Sequence, residues 1–88
     1  MKIKKIYYSS KFQKNFKKIP ERIQKEMIKK EKLFRQNPLH PLLKTHRLKG
    51  KYEKFYSFSL TYSYRILFEF ISDERVGFVN IGTHAIYR

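Results

Sequence analysis

Cysteine is absent, so neither a disulfide scaffold nor thiol chemistry is open to this chain. Its three histidines lack the ligand company of a structural zinc site, and no metal or other cofactor is expected. No apolar run approaches the ~20 residues that cross a bilayer. The N-terminus, MKIKKIYYSS, is basic but has no apolar stretch of signal-peptide length. A cytoplasmic protein without membrane contact is therefore expected. Internal repeats and low-complexity tracts are also missing, and residues 1–88 read as a single domain with one core. The scarcest chemistry is acid: 7 Asp+Glu stand against 21 Lys+Arg, a formal net charge of +14. So much like charge on a small body destabilises it by self-repulsion, which makes an anionic partner the natural complement. Nucleic acid comes first and an acidic protein second; a merely soluble, lysine-rich surface is the plain alternative.

What is present suffices for a folded core, with a hydrophobic fraction of 41% and an aromatic fraction of 17%. The stretch 64–84 organises the rest. YRILFEF and RVGFVNIGTH are rich in β-branched and aromatic residues and flank a polar turn, the pattern of a β-hairpin. A two-residue loop at Asp73 and Glu74 would pair Phe70 with Gly77, Phe68 with Val79 and Ile66 with Ile81 on an apolar face. The other face would pair Glu69 with Phe78, Leu67 with Asn80 and Arg65 with Gly82. If the second strand runs on, His84 emerges beside Arg65, whereas a one-residue slip would separate them across the sheet.

Upstream, residues 3–8 read as a short strand. Ser10 and Gln13 have capping-box spacing at a helix start, and Phe12, Phe16 and Ile19 recur as one helical face. Pro20 suits the first turn of a second helix carrying Ile23, Met27, Ile28 and Phe34 inward, stopped by Asn37-Pro38. Residues 37–54 show no period, though Leu42, Leu43 and Leu48 should pin the loop to the core. Tyr56, Phe58 and Leu60 alternate with serines as a half-buried strand. Parity then selects a three-residue turn at Thr61, Tyr62 and Ser63, which sets Ser59 opposite Arg65. The expectation is an α+β fold: an N-terminal strand, then a two-helix hairpin packed on one face of a small antiparallel sheet, in the order β-α-α-β-β-β. The other face would carry Ser57, Ser59, Arg65, Glu69, Asn80 and His84.

HRLKG at residues 46–50, YRILFEF at 64–70 and IGTH at 81–84, downstream of a lysine-rich helical pair, together resemble the RelE/ParE toxin superfamily. The likeness spans nearly the whole chain, with the YafQ/RelE-type mRNA interferases as the nearest branch. It implies the toxin of a type II toxin–antitoxin pair, which cuts mRNA in the ribosomal A site. It also implies an acidic cognate antitoxin as partner, with oligomers forming only through that antitoxin. His46 matches a functional histidine of that branch, Arg65 a phosphate-contacting arginine, and His84 the histidine of the Gly-Thr-His motif. Tyr87 matches an aromatic that stacks on a base. Ser57 and Ser59 stand where relatives often carry basic residues, and Ala85-Ile86 where an acidic pair often follows.

The implied reaction is a metal-free transesterification in which the ribose 2′-OH attacks the neighbouring phosphorus. Histidine suits both proton roles, and an arginine fork matches phosphate oxygens. His84 is read as the acid and His46 as the base, with the reverse open. Arg65 could instead pair with Glu69, His84 could simply cap a strand end, and His40, near two prolines, reads as a surface residue. Lys44, Arg47, Lys49 and Lys51 would track phosphates, while Tyr62, Tyr64 and Tyr87 offer base-stacking rings, although core packing suits Tyr64 better. Two other functions remain open: a ParE-like, non-enzymatic DNA gyrase inhibitor, and an inactive RNA-binding member.

Overall fold

A computed structural model describes residues 2–87. The chain runs through β1 (Lys5–Tyr8), α1 (Ser10–Phe16), α2 (Glu21–Gln36), β2 (His46–Arg47), β3 (Tyr56–Ser59), β4 (Arg65–Phe70) and β5 (Arg75–Gly82). Short 3-10 turns stand at Pro41–Leu43, Gly50–Tyr52 and His84–Tyr87. The sheet order is β1-β5-β4-β3-β2, antiparallel throughout except that β1 lies parallel to β5. The expected α+β order stands. The sheet is mixed rather than purely antiparallel, and it gains β2 from within the segment read as an aperiodic loop. A two-residue strand is too short to show any period.

The β3–β4 pairing is the one that parity selects, with Phe58 opposite Ile66 and Ser59 opposite Arg65. The β4–β5 hairpin departs from its expected register over half its length. Arg65, Ile66 and Leu67 do face Gly82, Ile81 and Asn80, but Phe68 then faces Phe78 and Phe70 faces Val76. Val79 is a β-bulge, one residue without a cross-strand mate, and the turn holds three residues (72–74) instead of two. The bulge changes the strand's parity, so Phe78 and Ile81 both enter the core despite their odd separation. Phe78 therefore lies inside, not on the polar face.

Ser9 secures this irregularity. Its hydroxyl donates to the Val79 carbonyl (2.7 Å) and accepts from the Phe12 amide (3.0 Å), capping α1 and the bulge together. The helix cap is thus Ser9 rather than Ser10, and the Gln13 amide donates to the Tyr8 carbonyl instead of closing a capping box. Asn15 ties α1 to β5 again by donating to Asn80 Oδ1 at 2.7 Å.

On the core side α2 presents Ile23, Met27 and Phe34. Phe34 is wholly buried, its ring 4.9 Å from those of Phe58 and Phe68 and 5.3 Å from that of Phe78. Such burial contributes on the order of 2–3 kcal/mol of transfer free energy. Ile28, expected inward, is exposed because its neighbour Met27 occupies the inner stripe. Leu43 is fully buried and Leu48 partly so, but Leu42 projects outward at 64% exposure.

One titration follows from the way β1 meets α2. The Tyr8 hydroxyl donates to Glu31 Oε1 at 2.5 Å. Burial first, then the Glu31 carboxylate, pushes the phenol up from 10.0 to about 12. The folded state holds this proton more tightly than the unfolded chain. Its contribution is therefore complete below pH 10.0 and disappears as pH rises to about 12. The stability advantage of the native protein over Tyr8→Phe should shrink across that interval. Paired urea melts check this, and the late phenolate step should vanish from the ultraviolet titration of the variant.

Candidate functional site

Strand parity brings the candidate residues to one side. Ser59, Arg65 and Gly82 form one cross-strand row, and His46, Ser57, Leu67 and Asn80 form the next on the same face. Arg65 has serine and glycine as lateral neighbours, which leaves its long side chain room to lie across the sheet. At Gly82 a Cβ would come within 2.6 Å of Ile86 Cγ2, so any larger residue there would displace the Ile86 side chain from its place against the sheet. Ser57 and Asn80, expected in solvent, are in fact buried on this side along with Leu67.

Two concavities flank Arg65. One, of about 470 Å³, is lined by Lys30, Lys44, His46, Ser59, Thr61, Tyr62 and Arg65, with Leu42 and Leu60 at its apolar margin. The other, of about 460 Å³, is lined by Tyr62, Ser63, Arg65, Thr83 and His84. Arg65 and Tyr62 belong to both, with one histidine on each side. β5 stops at Gly82 rather than running on, and His84 opens the C-terminal 3-10 turn, exposed yet on the Arg65 side. Among the described residues no carboxylate lines either concavity. Arg65 Nε is buried without a hydrogen-bond partner, and no ion pair with Glu69 forms among the described residues.

His46 Nδ1 lies 3.2 Å from the Lys44 carbonyl oxygen, which can only accept. The contact is a hydrogen bond in the tautomer that carries its proton on Nδ1, and in that tautomer Nε2 is the basic nitrogen of the neutral ring. Lys44 supplies that carbonyl from a left-handed backbone, φ 54°. Non-glycine residues resist this conformation, and backbone strain of this kind is found where a site depends on it. Lys44→Gly should raise stability by roughly 0.5–1 kcal/mol, the strain relieved less the entropy glycine adds to the unfolded chain. It should also lower the salt slope of single-stranded RNA binding by about 0.7 unit. A urea melt and a salt titration check these opposed effects.

The remaining candidates are dispersed. Arg47 points to the opposite side of β2 from His46, and its Nε donates to the Glu53 carbonyl at 2.7 Å. Lys49 and Lys51 are exposed, Lys51 lying 5.2 Å from the Tyr52 ring centre, and neither lines either concavity. Tyr64 packs against the core. His40 Nδ1 accepts from the Leu42 amide and caps the first 3-10 turn. The Tyr87 side chain lies outside the described residues. Lys30 is an addition, a helix α2 lysine indistinguishable in sequence from the solvated lysines around it until the fold places it on the wall of the concavity that His46 also lines.

No protein-family model and no curated protein sequence matches the chain. Its fold, however, has close counterparts among solved structures. YafQ from E. coli strain BL21(DE3) is 22% identical and superposes with a TM-score of 0.77, covering 93% of this chain and 94% of that one. A YoeB/ParE toxin from Agrobacterium tumefaciens is 16% identical with a TM-score of 0.77, over 92% and 99% of the two chains. A chain of the RelBE2 toxin–antitoxin complex from Mycobacterium tuberculosis is 17% identical with a TM-score of 0.75, over 90% and 95%. Identities this low speak for architecture rather than activity. With the sheet order, the helical pair and the flanked arginine in view, the chain has the fold of the RelE/ParE-type toxins.

Proposed function

We propose that this protein is the toxin of a type II toxin–antitoxin pair and an endoribonuclease that cuts mRNA in the ribosomal A site. The observation that carries the reading is Arg65 set between two concavities, each holding one histidine. A phosphodiester seated on Arg65 has a proton acceptor on one side and a proton donor on the other. His46 Nε2 takes the proton of the ribose 2′-OH, whose oxygen then attacks the adjacent phosphorus. The guanidinium fork neutralises the charge that develops on the phosphorane oxygens. His84 delivers a proton to the departing 5′ oxygen, leaving a cyclic phosphate and a free 5′-OH. These three groups fill the three roles the step requires, so it is written without a metal.

Charge supports the same reading. The middle strand offers Ser57 and Ser59, but Lys30 and Lys44 bring cations to the His46 side from α2 and from the strained turn. A net charge of +14 suits a ribosome-associated message and an acidic antitoxin alike. The M. tuberculosis counterpart comes from a complex with its antitoxin, and we assign this chain a partner of the same kind. In vitro translation with the purified protein tests the proposal. Codon-phased breaks with cyclic-phosphate 3′ ends and 5′-OH ends are expected. Intact message together with inhibition of DNA gyrase would overturn it in favour of the ParE-like alternative.

A further inference from the structure

Tyr62 is the most exposed of the large hydrophobic residues described, with 96% of its surface in solvent. It stands at the tip of the β3–β4 turn, yet the turn is firmly held. The Leu60 amide donates to the Tyr64 carbonyl at 2.8 Å, and the Tyr64 amide donates to Thr61 Oγ1 at 3.2 Å. An uncovered ring on a fixed support gains nothing from packing within the chain. Scattered exposed rings are ordinary, but among the described residues only Tyr62 and Arg65 line both concavities. Both spaces also fall within the roughly 300–1,000 Å³ of small-ligand sites.

Resting on the reading above, we infer that Tyr62 is a base-stacking platform that divides bound single-stranded RNA at the step engaged by Arg65. One nucleotide lies on the His46 side and the next on the His84 side. A phosphate gripped by Arg65 places its two nucleosides on either side, where the two concavities lie. The aromatic face between them favours unstacked bases over a duplex, because stacking on a side chain needs bases already splayed apart. On the His46 side Lys30 reaches in from α2 and suits a flanking phosphate. The ring thus sets which linkage meets the guanidinium, a matter of register rather than proton transfer.

The probe is a short RNA blocked against cleavage by 2′-O-methyl groups, titrated against the full-length protein and its Tyr62→Ala, Tyr62→Phe, Lys30→Ala and Arg65→Ala variants. Tyr62→Ala should weaken binding about tenfold without changing the salt slope, and Tyr62→Phe should bind as the native protein does. Lys30→Ala should lower the salt slope by about 0.7 unit. In the translation assay, Tyr62→Ala should spread cuts onto neighbouring linkages, which a mere loss of affinity would not do. Native RNA binding and cut positions in Tyr62→Ala, with binding still lost in Arg65→Ala, would overturn this inference alone. Loss of antitoxin binding with RNA binding intact would also overturn it and make Tyr62 part of a protein interface. Failure of the native protein to bind the RNA at all would overturn both this inference and the nuclease reading.

Discussion

Arg65→Met should slow message cleavage by roughly 10²–10³-fold and leave the protein at least as stable as before. The two effects have separate causes. In the proposed step, charge developing on a phosphorane is met by a guanidinium already in place, and removing one such donor from a preorganised site has that order of cost. In the resting protein the same side chain is a burden, because its Nε is buried with no acceptor among the described residues. An unsatisfied buried donor costs about 1–3 kcal/mol, which an apolar stem of similar length would recover in part. Methionine keeps an apolar stem in the row between Ser59 and Gly82 and discards the polar head. Single-turnover cleavage beside a urea melt checks both effects. Cleavage within about threefold of native, or a clear loss of stability, would make Arg65 a structural residue and end its role in catalysis.

His46→Ala and His84→Ala should each lower cleavage by roughly 10²–10⁴-fold, and they should act at different moments of the proposed step. The base works on the attacking 2′-OH and the acid on the departing 5′ oxygen. A 5′-thio linkage supplies a leaving group that needs no proton, so it should restore cleavage to His84→Ala and not to His46→Ala. The Lys44 carbonyl fits this division, since a proton shared with it from Nδ1 leaves Nε2 free to accept. Should the thio linkage rescue His46→Ala instead, the two roles are reversed. Should neither variant alter the rate, both histidines belong to the surface and the proposed chemistry fails.

Much of the frame was legible because short-range rules govern it. The alternation of Tyr56, Phe58 and Leu60 fixed the parity of β3, and a hairpin that keeps apolar faces together admits a single turn length. That reasoning carried Ser59 to Arg65 and Arg65 to Gly82. The same reasoning failed at Val79 because a bulge is not a local preference there. It is held by the Ser9 hydroxyl, seventy residues away in sequence. His46 lay in a segment without period, and its side of the sheet became readable only through pairing with Ser57. Lys30 is not legible in the sequence, because a helix lysine aimed at a cavity and one aimed at water look alike until the sheet end beneath them is known. Adjacency in sequence groups Arg47 with Lys44, although pairing across β2 turns it to the other side.

The spare residue in β5 switches which face each half of that strand presents to the core. Val76 and Phe78 answer to the interior, while Asn80 and Gly82 serve the opposite face. The tip at residues 72–74 lies at the far end of the hairpin from Arg65, so it can lengthen, shorten or drift in composition over evolutionary time without disturbing the Arg65 end. Loss of one residue at the kink would be a different event, because it would rotate everything downstream by half a pleat and turn His84 away from Arg65. Among single-residue gaps in this hairpin, tolerance at the tip and intolerance at the kink are therefore the pattern to look for in related chains.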